Sequence, residues 1–177
     1  MAGPEPPGVD PTAFRRAIAR WATGVAVVTA RDGGVDGGLT VNALLSVSLN
    51  PPMLLVSLTH DADTTAMIER SHRFAVSLLA ASQQPWSDRF AQTIPSAEKF
   101  LGVPVHRGRD GIALLDGTLG AFECELERTI PVADHHVLVG RVVRIEPGVD
   151  AAPLLFYRSR YGEASAADTI RLPPGKP

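Results

Sequence analysis

Cysteine is nearly absent from this 177-residue sequence, and positive charge is not in excess. Because Cys124 is the only cysteine, the chain cannot form an internal disulfide, a CxxC redox pair or a thiolate-clustered metal site. Lys and Arg number 17 against 19 Asp and Glu, so the formal net charge of −2 disfavours nucleic acid and anionic lipid as partners. The composition therefore predicts a protein of a reducing cytoplasm.

Long apolar runs and a leader sequence are also missing. No segment approaches the ~18 uninterrupted apolar residues of a transmembrane helix. The N-terminal stretch lacks the basic flank and apolar run of a signal peptide. We therefore expect no membrane association and a cytoplasmic location. Residues 1–9 and 173–177 are proline-rich and predict disordered tails on either side of one domain over residues 10–172.

Standard catalytic and metal-binding motifs are equally scarce. Neither GxSxG nor a P-loop occurs, and the glycines at 33, 34, 37 and 38 do not spell GxGxxG, so they indicate a hairpin turn. His135 and His136 are adjacent, and on a strand they would point to opposite faces. The pair cannot readily hold one ion together, and we expect no metal site.

One amphipathic helix is indicated near the start of the chain. Asp10 is a suitable N-cap, and Gly24 is placed to end the helix. Apolar residues recur at i, i+4 and i+7 on one face, namely Phe14, Ile18 and Trp21. This pattern predicts a helix that docks on the core.

The remaining pattern is mainly that of short strands. Apolar, β-forming runs bounded by Gly and Pro predict strands at 25–31, 39–49, 53–59, 73–79, 122–127, 136–145 and 154–158. A short helix is expected behind Asp63 and Thr64, and mostly helical structure over 82–102, with Ser82 and Ser96 as possible caps. Alternation over 122–127 puts three glutamates on one face, which predicts an antiparallel sheet wetted on that side. The fold class is therefore mainly β, a small antiparallel barrel with inserted helices.

The segment 38–52 is the most informative part of the sequence. Small polar residues at 40, 42, 46 and 48 share one face of the predicted strand over 39–49. Such a face can line a polar ligand, or it can belong to an edge strand in water. The pattern alone leaves both interpretations open.

This segment and the apolar strand after Pro51-Pro52 resemble the flavin reductase family. Its members are NAD(P)H-dependent reductase partners of two-component flavin monooxygenases, built on the FMN-binding split barrel. Further matching motifs follow in order, namely Phe14-Arg-Arg-Ala with Ala22-Thr-Gly24, Arg73–Leu79, Asp88-Arg-Phe-Ala91, Glu98-Lys-Phe-Leu-Gly102, Asp134-His135 with Gly140, and Leu154–Arg158 with Arg160-Tyr-Gly162. The resemblance covers residues 12–162 and implies an antiparallel, Greek-key-like split β-barrel.

The resemblance also implies a flavin groove at a homodimer interface. Thr40, Val41, Asn42 and Ala43 would line the phosphate and ribityl chain, and Ser46, Val47 and Ser48 would meet the isoalloxazine edge. His60 and Thr64 would lie near the phosphate, with Asp63 as a solvent-facing N-cap beside them. Arg89, Phe90 and Ala91 would flank the flavin ring, and Arg158 and Tyr161 would close the site, although core packing explains Phe90 and Tyr161 equally well.

His135 is the residue that the resemblance places beside the nicotinamide nucleotide. The family's segment reads Gly-Asp-His, and this sequence has Ala133-Asp134-His135. A solvent-exposed turn histidine is the alternative. The cofactors implied are FMN or FAD together with NADH. NADPH is less favoured because the sequence shows no obvious basic cluster for a 2′-phosphate.

The implied reaction needs no protein nucleophile. Hydride transfer from nicotinamide C4 to flavin N5 requires the two rings to stack at ~3–3.5 Å, and the cofactor carries the chemistry. Reduced flavin would then pass to a partner monooxygenase. Two alternatives remain at this stage. One is a pyridoxamine-phosphate-oxidase-like enzyme, which would want several phosphate-binding arginines near residues 40–64, and the other is a non-catalytic flavin- or haem-binding sensor.

Overall fold

The structure is a computed structural model that describes residues 8–164. Gly8 and Val9 are exposed and precede the first helix. The rest of the predicted tail over 1–9, the tail over 173–177 and the end of the predicted domain lie outside the described residues. Four helices occur in the described range: α1 (Pro11–Ile18), α2 (Asp63–Ser71), α3 (Gln84–Phe90) and α4 (Ser96–Lys99). None of them has the length and apolarity needed to cross a membrane.

A seven-stranded sheet forms the body of the molecule, and every pair of neighbouring strands is antiparallel. In spatial order its strands are β3 (Val35–Val41), β2 (Ala26–Asp32), β6 (Arg73–Leu78), β9 (Gly120–Val132), β10 (His135–Pro147), β5 (Pro52–Thr59) and β4 (Leu44–Leu49). The predicted mainly β, antiparallel fold class is therefore confirmed.

Two smaller sheets complete the architecture. The first contains β1 (Thr23–Gly24), β11 (Leu154–Tyr157) and β12 (Arg160–Glu163), with β11 in the middle. The second is the pair β7 (Val105–Arg107) and β8 (Ala113–Leu115). Short 3₁₀ turns occur at Ala81–Gln83 and Arg109–Gly111.

The two edge strands of the main sheet are consecutive in the sequence. β3 ends at Val41 and β4 begins at Leu44, so only Asn42 and Ala43 separate them. A flat sheet of seven strands would be about 29 Å wide, whereas this joint spans at most about 11 Å. The sheet must therefore curl until its edges meet, as a split barrel requires. The single strand predicted over 39–49 is wrong because the chain crosses between the edges at this joint.

The core fills the inside of the curled sheet. Phe74, Ile68 and Leu138 are fully buried there, and α2 covers one end through Ile68. Gly140 lies directly under the Phe74 ring, where a Cβ would approach a ring carbon to 2.4 Å. A second apolar cluster lies on the other face of β2, between Val27, α3 and β11. Because β2 is buried on both faces, its sequence is a continuous apolar run rather than an alternating one.

The first helix differs from the expectation in how it packs. Asp10 caps it as predicted, accepting hydrogen bonds from the backbone N–H groups of Thr12 and Ala13. The helix ends at Ile18, and Gly24 belongs to β1. The predicted docking face is wrong for the single chain, because Phe14, Ile18 and Trp21 are 62%, 52% and 72% exposed. α1 instead turns its polar face toward the β11–β12 turn.

The glutamate face of β9 is not uniformly wet. Glu123 is buried because the turn over 108–111 folds across it, and its Oε2 accepts the Arg109 backbone N–H at 2.6 Å. Arg144 lies 3.3 Å from the other carboxylate oxygen. The neighbouring glutamates, Glu125 and Glu127, pair with Arg141 near the surface. A sequence alternation cannot show that a distant loop covers one of its polar positions.

The segment 82–102 is helical only in pieces. α3 and α4 are short and are separated by residues 91–95. Their N-cap residues are Gln83 and Pro95, and neither caps its helix through a side chain, so Ser82 and Ser96 are not caps. Asp63 is likewise the first helical residue of α2, which has Ala62 at the N-cap position.

His106 is held between two carboxylates at the surface. Its Nδ1 lies 2.6 Å from Asp116 Oδ1, and its Nε2 lies 2.7 Å from Glu146 Oε2. Hydrogen bonding to Asp116, and then to Glu146, raises the pKa of His106 above its ordinary value of 6.5. Both ring nitrogens can donate only in the imidazolium form, so the clamp is complete only when His106 is protonated.

We expect the contribution of this clamp to stability to fall as pH rises. Because the folded-state pKa is raised, the contribution is fully present below pH 6.5 and is lost as pH rises through the higher folded-state pKa. His106→Gln should therefore lower the free energy of unfolding more at about pH 5.5 than at about pH 8.5. Denaturant titrations at both pH values test this, and an equal loss at both would contradict it. Asp116→Asn keeps the imidazole but removes one carboxylate. The stabilising contribution of His106 should then be lost at a lower pH.

The turn of the β9–β10 hairpin contains a strained alanine. Ala133 has a φ of 50°, in the left-handed region that favours glycine. We expect Ala133→Gly to raise the free energy of unfolding by up to about 1 kcal/mol, since relief of strain outweighs the added entropy of the unfolded chain. Ala97→Gly in α4 is the matched control and should destabilise by about 0.5–1 kcal/mol. A loss of stability from Ala133→Gly would contradict the assigned conformation.

Candidate functional site

A groove opens beside the joint between β3 and β4. Asn42 lies between two neighbouring cavities of about 140 and 290 Å³. The smaller cavity is lined by Val25, Thr40, Val41, Asn42, Phe156 and Tyr161. The larger runs along residues 21–26 and reaches β11 at Leu154. The structure thus brings together four predicted site residues from opposite ends of the chain: Thr40, Val41, Asn42 and Tyr161.

A chain of hydrogen bonds holds the wall of this groove. Thr40 Oγ1 donates to the backbone carbonyl of Ser87 at 2.7 Å, and the Ser87 hydroxyl is 2.8 Å from the Tyr161 hydroxyl. The Tyr161 ring also packs edge-on against Phe156, at 5.4 Å between centroids. These contacts orient Tyr161 toward the groove. The exposed Asn42 amide makes no side-chain hydrogen bond within residues 8–164, so it can meet a ligand.

A third cavity of about 270 Å³ lies at the N-terminal end of α2. Thr64 in the first turn of the helix and Ala91 after α3 both line it, together with Ser96 and Lys99. Helix N-termini present unpaired N–H groups that suit an anion. Asp63 also lines this cavity, and its carboxylate would oppose an anion placed next to it. This cavity is the candidate for the predicted phosphate end of the site.

Lys99 is a site residue that sequence reasoning missed. It is only 7% exposed, and its Nζ donates to the backbone carbonyls of Gly38 at 3.2 Å and Phe90 at 3.1 Å. Burial lowers the pKa of Lys99, while the charge of Asp63 acts in the opposite direction. Two bonds leave one of its three N–H donors available beside the cavity. Its motif, Glu98-Lys-Phe, was visible in the sequence, but nothing there marked the lysine as buried.

The three predicted site residues Arg89, Phe90 and Ala91 have different surroundings. The Arg89 guanidinium donates to the backbone carbonyls of Glu98 and Lys99, so it joins α3 to α4. Phe90 is fully buried, packed edge-on against Phe100 and over Gly38, where a Cβ would come within 2.5 Å of its ring. The Phe90 side chain is therefore part of the core. Of the three residues, only Ala91 lines the third cavity.

The predicted residues of β4 lie on the exposed edge strand. The backbone carbonyl of Ala43 accepts a hydrogen bond from the Ser57 N–H at 3.1 Å, which attaches the joint to β5. The pairing of β4 with β5 shifts register between Ser46 and Ser48, so Val47 is bulged. The small polar residues therefore do not share one face as the sequence pattern predicted. Ser46, Val47 and Ser48 follow the joint but do not line the three cavities.

His60 and His135 both contact Asp134, where β5 ends and β10 begins. The His60 backbone N–H donates to the carbonyl of Asp134 at 3.1 Å, and His60 Nδ1 is 3.2 Å from the same oxygen. His135 Nδ1 lies 2.8 Å from Asp134 Oδ1, and this hydrogen bond lowers the pKa of the Asp134 carboxyl. Residues on either side of His60, Thr59 and Asp61, line the third cavity. The two histidines therefore lie beside the candidate phosphate end.

Arg158 lies apart from Tyr161, although both were predicted to close one site. It has a φ of 50° in the turn between β11 and β12, and its guanidinium lies 5.2 Å from the centre of the Tyr157 ring. It lines a separate cavity of about 390 Å³ with Arg15, Arg16 and Arg20 of the N-terminal segment. The sequence shows no obvious basic cluster for a 2′-phosphate, but the fold brings four arginines together at this cavity. Three of these arginines are close in sequence, but only the fold adds Arg158 to them.

The groove fits the neutral part of a flavin better than a metal ion. Within residues 8–164, no group of three His, Cys, Asp or Glu side chains is arranged to hold a metal. Thr40, Asn42 and Tyr161 supply polar groups above an apolar floor, which is the lining that ring-shaped cofactors require. Ligand pockets usually measure about 300–1,000 Å³. Each of the two cavities beside Asn42 is smaller than this range.

Comparison with known proteins identifies the family of this chain. Residues 18–165 match the flavin reductase like domain. The reductase subunit of a flavin-dependent monooxygenase from Rhodococcus jostii is 34% identical over 93% of this chain and 84% of its own. An NADH-dependent flavin reductase from Pseudomonas fluorescens is 38% identical over 86% of this chain and 89% of its own.

Solved structures show the same fold. The NADH:FAD oxidoreductase of Streptomyces globisporus C-1027 superimposes with a TM-score of 0.83 at 30% identity, covering 92% of this chain and 99% of that one. The family match over residues 18–165 spans the β3–β4 joint and the β11–β12 hairpin. The chain belongs to the flavin reductase like domain family and is a flavin oxidoreductase of the split-barrel fold.

Proposed function

We propose that this enzyme oxidises NADH, reduces FMN or FAD, and supplies the reduced flavin to a partner flavin-dependent monooxygenase. The observation that carries the proposal is the neutral polar groove at the β3–β4 joint, where Thr40, Asn42 and Tyr161 converge. The similar proteins named as an NADH-dependent reductase and as a monooxygenase reductase subunit support the electron donor and the partner. An open groove suits a flavin that must leave after reduction.

The chain contributes binding and orientation to the reaction. A bound flavin supplies the electron-accepting ring, so no protein nucleophile is needed. Asn42 would donate to the polar edge of the ring, and Tyr161, fixed by Ser87, would limit its position. Thr64 and Lys99 would hold the phosphate, with His60 at the rim of that cavity. Orienting two flat rings at stacking distance is the main catalytic task left to these residues.

A homodimer would complete the groove. Two apolar surfaces are exposed on the single chain, one at Trp21 just after α1 and one on β4, where Leu49 is 87% exposed. Trp21 lines the larger cavity with Asn42, and β4 begins at the joint that forms the groove. Exposed apolar surface of this kind is typical of a contact between copies. A cytoplasmic location is consistent with the lone, buried Cys124, whose pKa burial raises to about 12.

Steady-state NADH oxidation with added FMN, FAD or riboflavin tests the proposed function. We expect rapid turnover that depends on the added flavin. A pyridoxamine-phosphate-oxidase-like enzyme would instead retain FMN and need no added flavin. A sensor would retain its ligand and show no turnover with NADH, and either result would refute the proposal.

The first prediction concerns Asn42. Asn42→Leu removes a polar partner and places a branched apolar group in the groove. Loss of one hydrogen bond, about 0.5–1.5 kcal/mol, should raise the flavin dissociation constant about threefold to tenfold. Gln84→Leu is the matched control, because Gln84 is an exposed amide that does not line the groove. Fluorescence titration with FMN and with FAD measures the flavin dissociation constant of each variant. An unchanged dissociation constant for Asn42→Leu would remove this residue from the site.

The second prediction concerns assembly. Light scattering of the wild-type chain should give the mass of a homodimer. Trp21→Glu should shift the mass toward the monomer and weaken flavin binding together, because it places a charge on the apolar surface at Trp21 beside the groove. A stable wild-type monomer with full activity would exclude the dimeric site.

The third prediction concerns His135. His135→Ala should remove a hydrogen bond to NADH but none to the flavin, which raises the KM for NADH about threefold to tenfold and leaves the flavin dissociation constant unchanged. A parallel fall in kcat would show that the ring also orients the nicotinamide. His135→Gln keeps a donor and should restore part of the loss. If both parameters match the wild type, His135 is a solvated turn residue.

A further inference from the structure

The largest of the cavities described above contains four arginines. It measures about 390 Å³, lies between α1 and the β11–β12 turn, and is lined by Thr12, Arg15, Arg16, Ala19, Arg20, Arg158 and Ser159. We call it the arginine pocket. A chain with a formal net charge of −2 concentrates four positive charges at this one concave place. Such a concentration raises the local density of anions.

The fold gives the arginine pocket a defined shape. Thr12, Arg15, Arg16 and Ala19 follow one another at i, i+3, i+4 and i+7, so they share the face of α1 opposite Phe14 and Ile18. The Arg158 backbone N–H donates to the Ala19 carbonyl at 2.7 Å, which holds the turn against this face. Arg158 is thereby fixed beside arginines that are about 140 positions away in the sequence.

The charges in the pocket are not neutralised within residues 8–164. Seven other arginines in this range form ion pairs with Asp or Glu, for example Arg31 with Asp36 and Arg70 with Asp32. Arg15, Arg16, Arg20 and Arg158 form none there. Arg16 and Arg20 are also four positions apart, where like charges repel. A bound anion would relieve this repulsion.

Two chain segments connect the arginine pocket to the groove, although the two share no lining residue. Residue 20 lines the pocket, and residues 21–23 line the cavity that contains Asn42. The hairpin that carries Arg158 also carries Phe156 and Tyr161 onto the groove wall. The groove lining is neutral, whereas NADH carries its negative charge on phosphates. The pocket therefore supplies a positive charge that the groove lacks.

We infer that the arginine pocket binds the phosphates of NADH, because the flavin phosphate is assigned to the cavity at α2. The inference rests on the proposed function, because that function supplies NADH as the ligand. Guanidinium groups match phosphate oxygens in charge and in paired hydrogen-bond geometry. A cavity of about 390 Å³ falls within the size range of small-molecule sites, which favours a nucleotide over a partner protein.

Direct binding of ADP to the full chain tests the pocket without requiring turnover. Calorimetric titration should show that Arg16→Ala and Arg158→Ala each weaken ADP binding about tenfold, the loss typical of one charge-assisted hydrogen bond. Arg160→Ala is the matched control, because this exposed arginine lies on the same hairpin but does not line the pocket. Its ADP affinity should equal that of the wild type.

Kinetics then test the assignment to NADH. The same variants should raise the KM for NADH about tenfold with every flavin and leave the KM values for FAD, FMN and riboflavin unchanged. A rise in the KM for FAD alone would place the FAD phosphates in the pocket and overturn the inference.

Other outcomes overturn the inference. If Arg16→Ala and Arg158→Ala have the same ADP affinity and the same KM values as the control Arg160→Ala, the pocket does not bind nucleotide. A changed molecular mass in light scattering, with unchanged ADP affinity, would show that the arginines contact an acidic surface of a second copy. If the wild type binds ADP in the pocket but oxidises no NADH with any flavin, the proposed function fails and the pocket assignment stands.

Discussion

The short joint between β3 and β4 is the constraint on which the rest of the structure depends. Two residues, Asn42 and Ala43, connect the opposite edges of a seven-stranded sheet, so the sheet can only close on itself. Closure creates the enclosed core around Phe74. Closure also leaves residues 42 and 43 between the two strands, where the Asn42 side chain is exposed and can meet a ligand. The feature that shapes the barrel is therefore the one that opens the groove.

Polar links then attach the remaining segments to this joint. Thr40 contacts α3 through the Ser87 carbonyl, and Ser87 contacts β12 through Tyr161. Lys99 joins α4 to Gly38 of β3 and to the end of α3 at Phe90. Three of these four links join residues 47, 61 and 74 positions apart, and two of them end on β3. Most residues proposed to bind ligand are thus placed by one strand and its neighbours.

Much of the candidate site was predictable because the family motifs keep their order and spacing. Thr40, Val41, Asn42 and Tyr161 do meet in one groove, and Thr64 and Ala91 line one cavity. Other assignments failed for physical reasons. A strand pattern cannot show where a chain crosses between sheet edges, so the face shared by residues 40–48 was misjudged. Motif matching also cannot separate a ligand contact from a core residue, as the buried Phe90 side chain shows.

The sequence by itself determined the class of the fold, the location of most strands and the membership of the family, because these depend on local periodicity, turn residues and motif order. The tertiary structure alone decided which charges meet. Lys99 is buried near the charge of Asp63, Glu123 is covered by the turn over 108–111, and Arg158 joins Arg15, Arg16 and Arg20. The physical reason is that electrostatic partners are chosen by distance in space, and a curled sheet brings together segments that no sequence spacing connects.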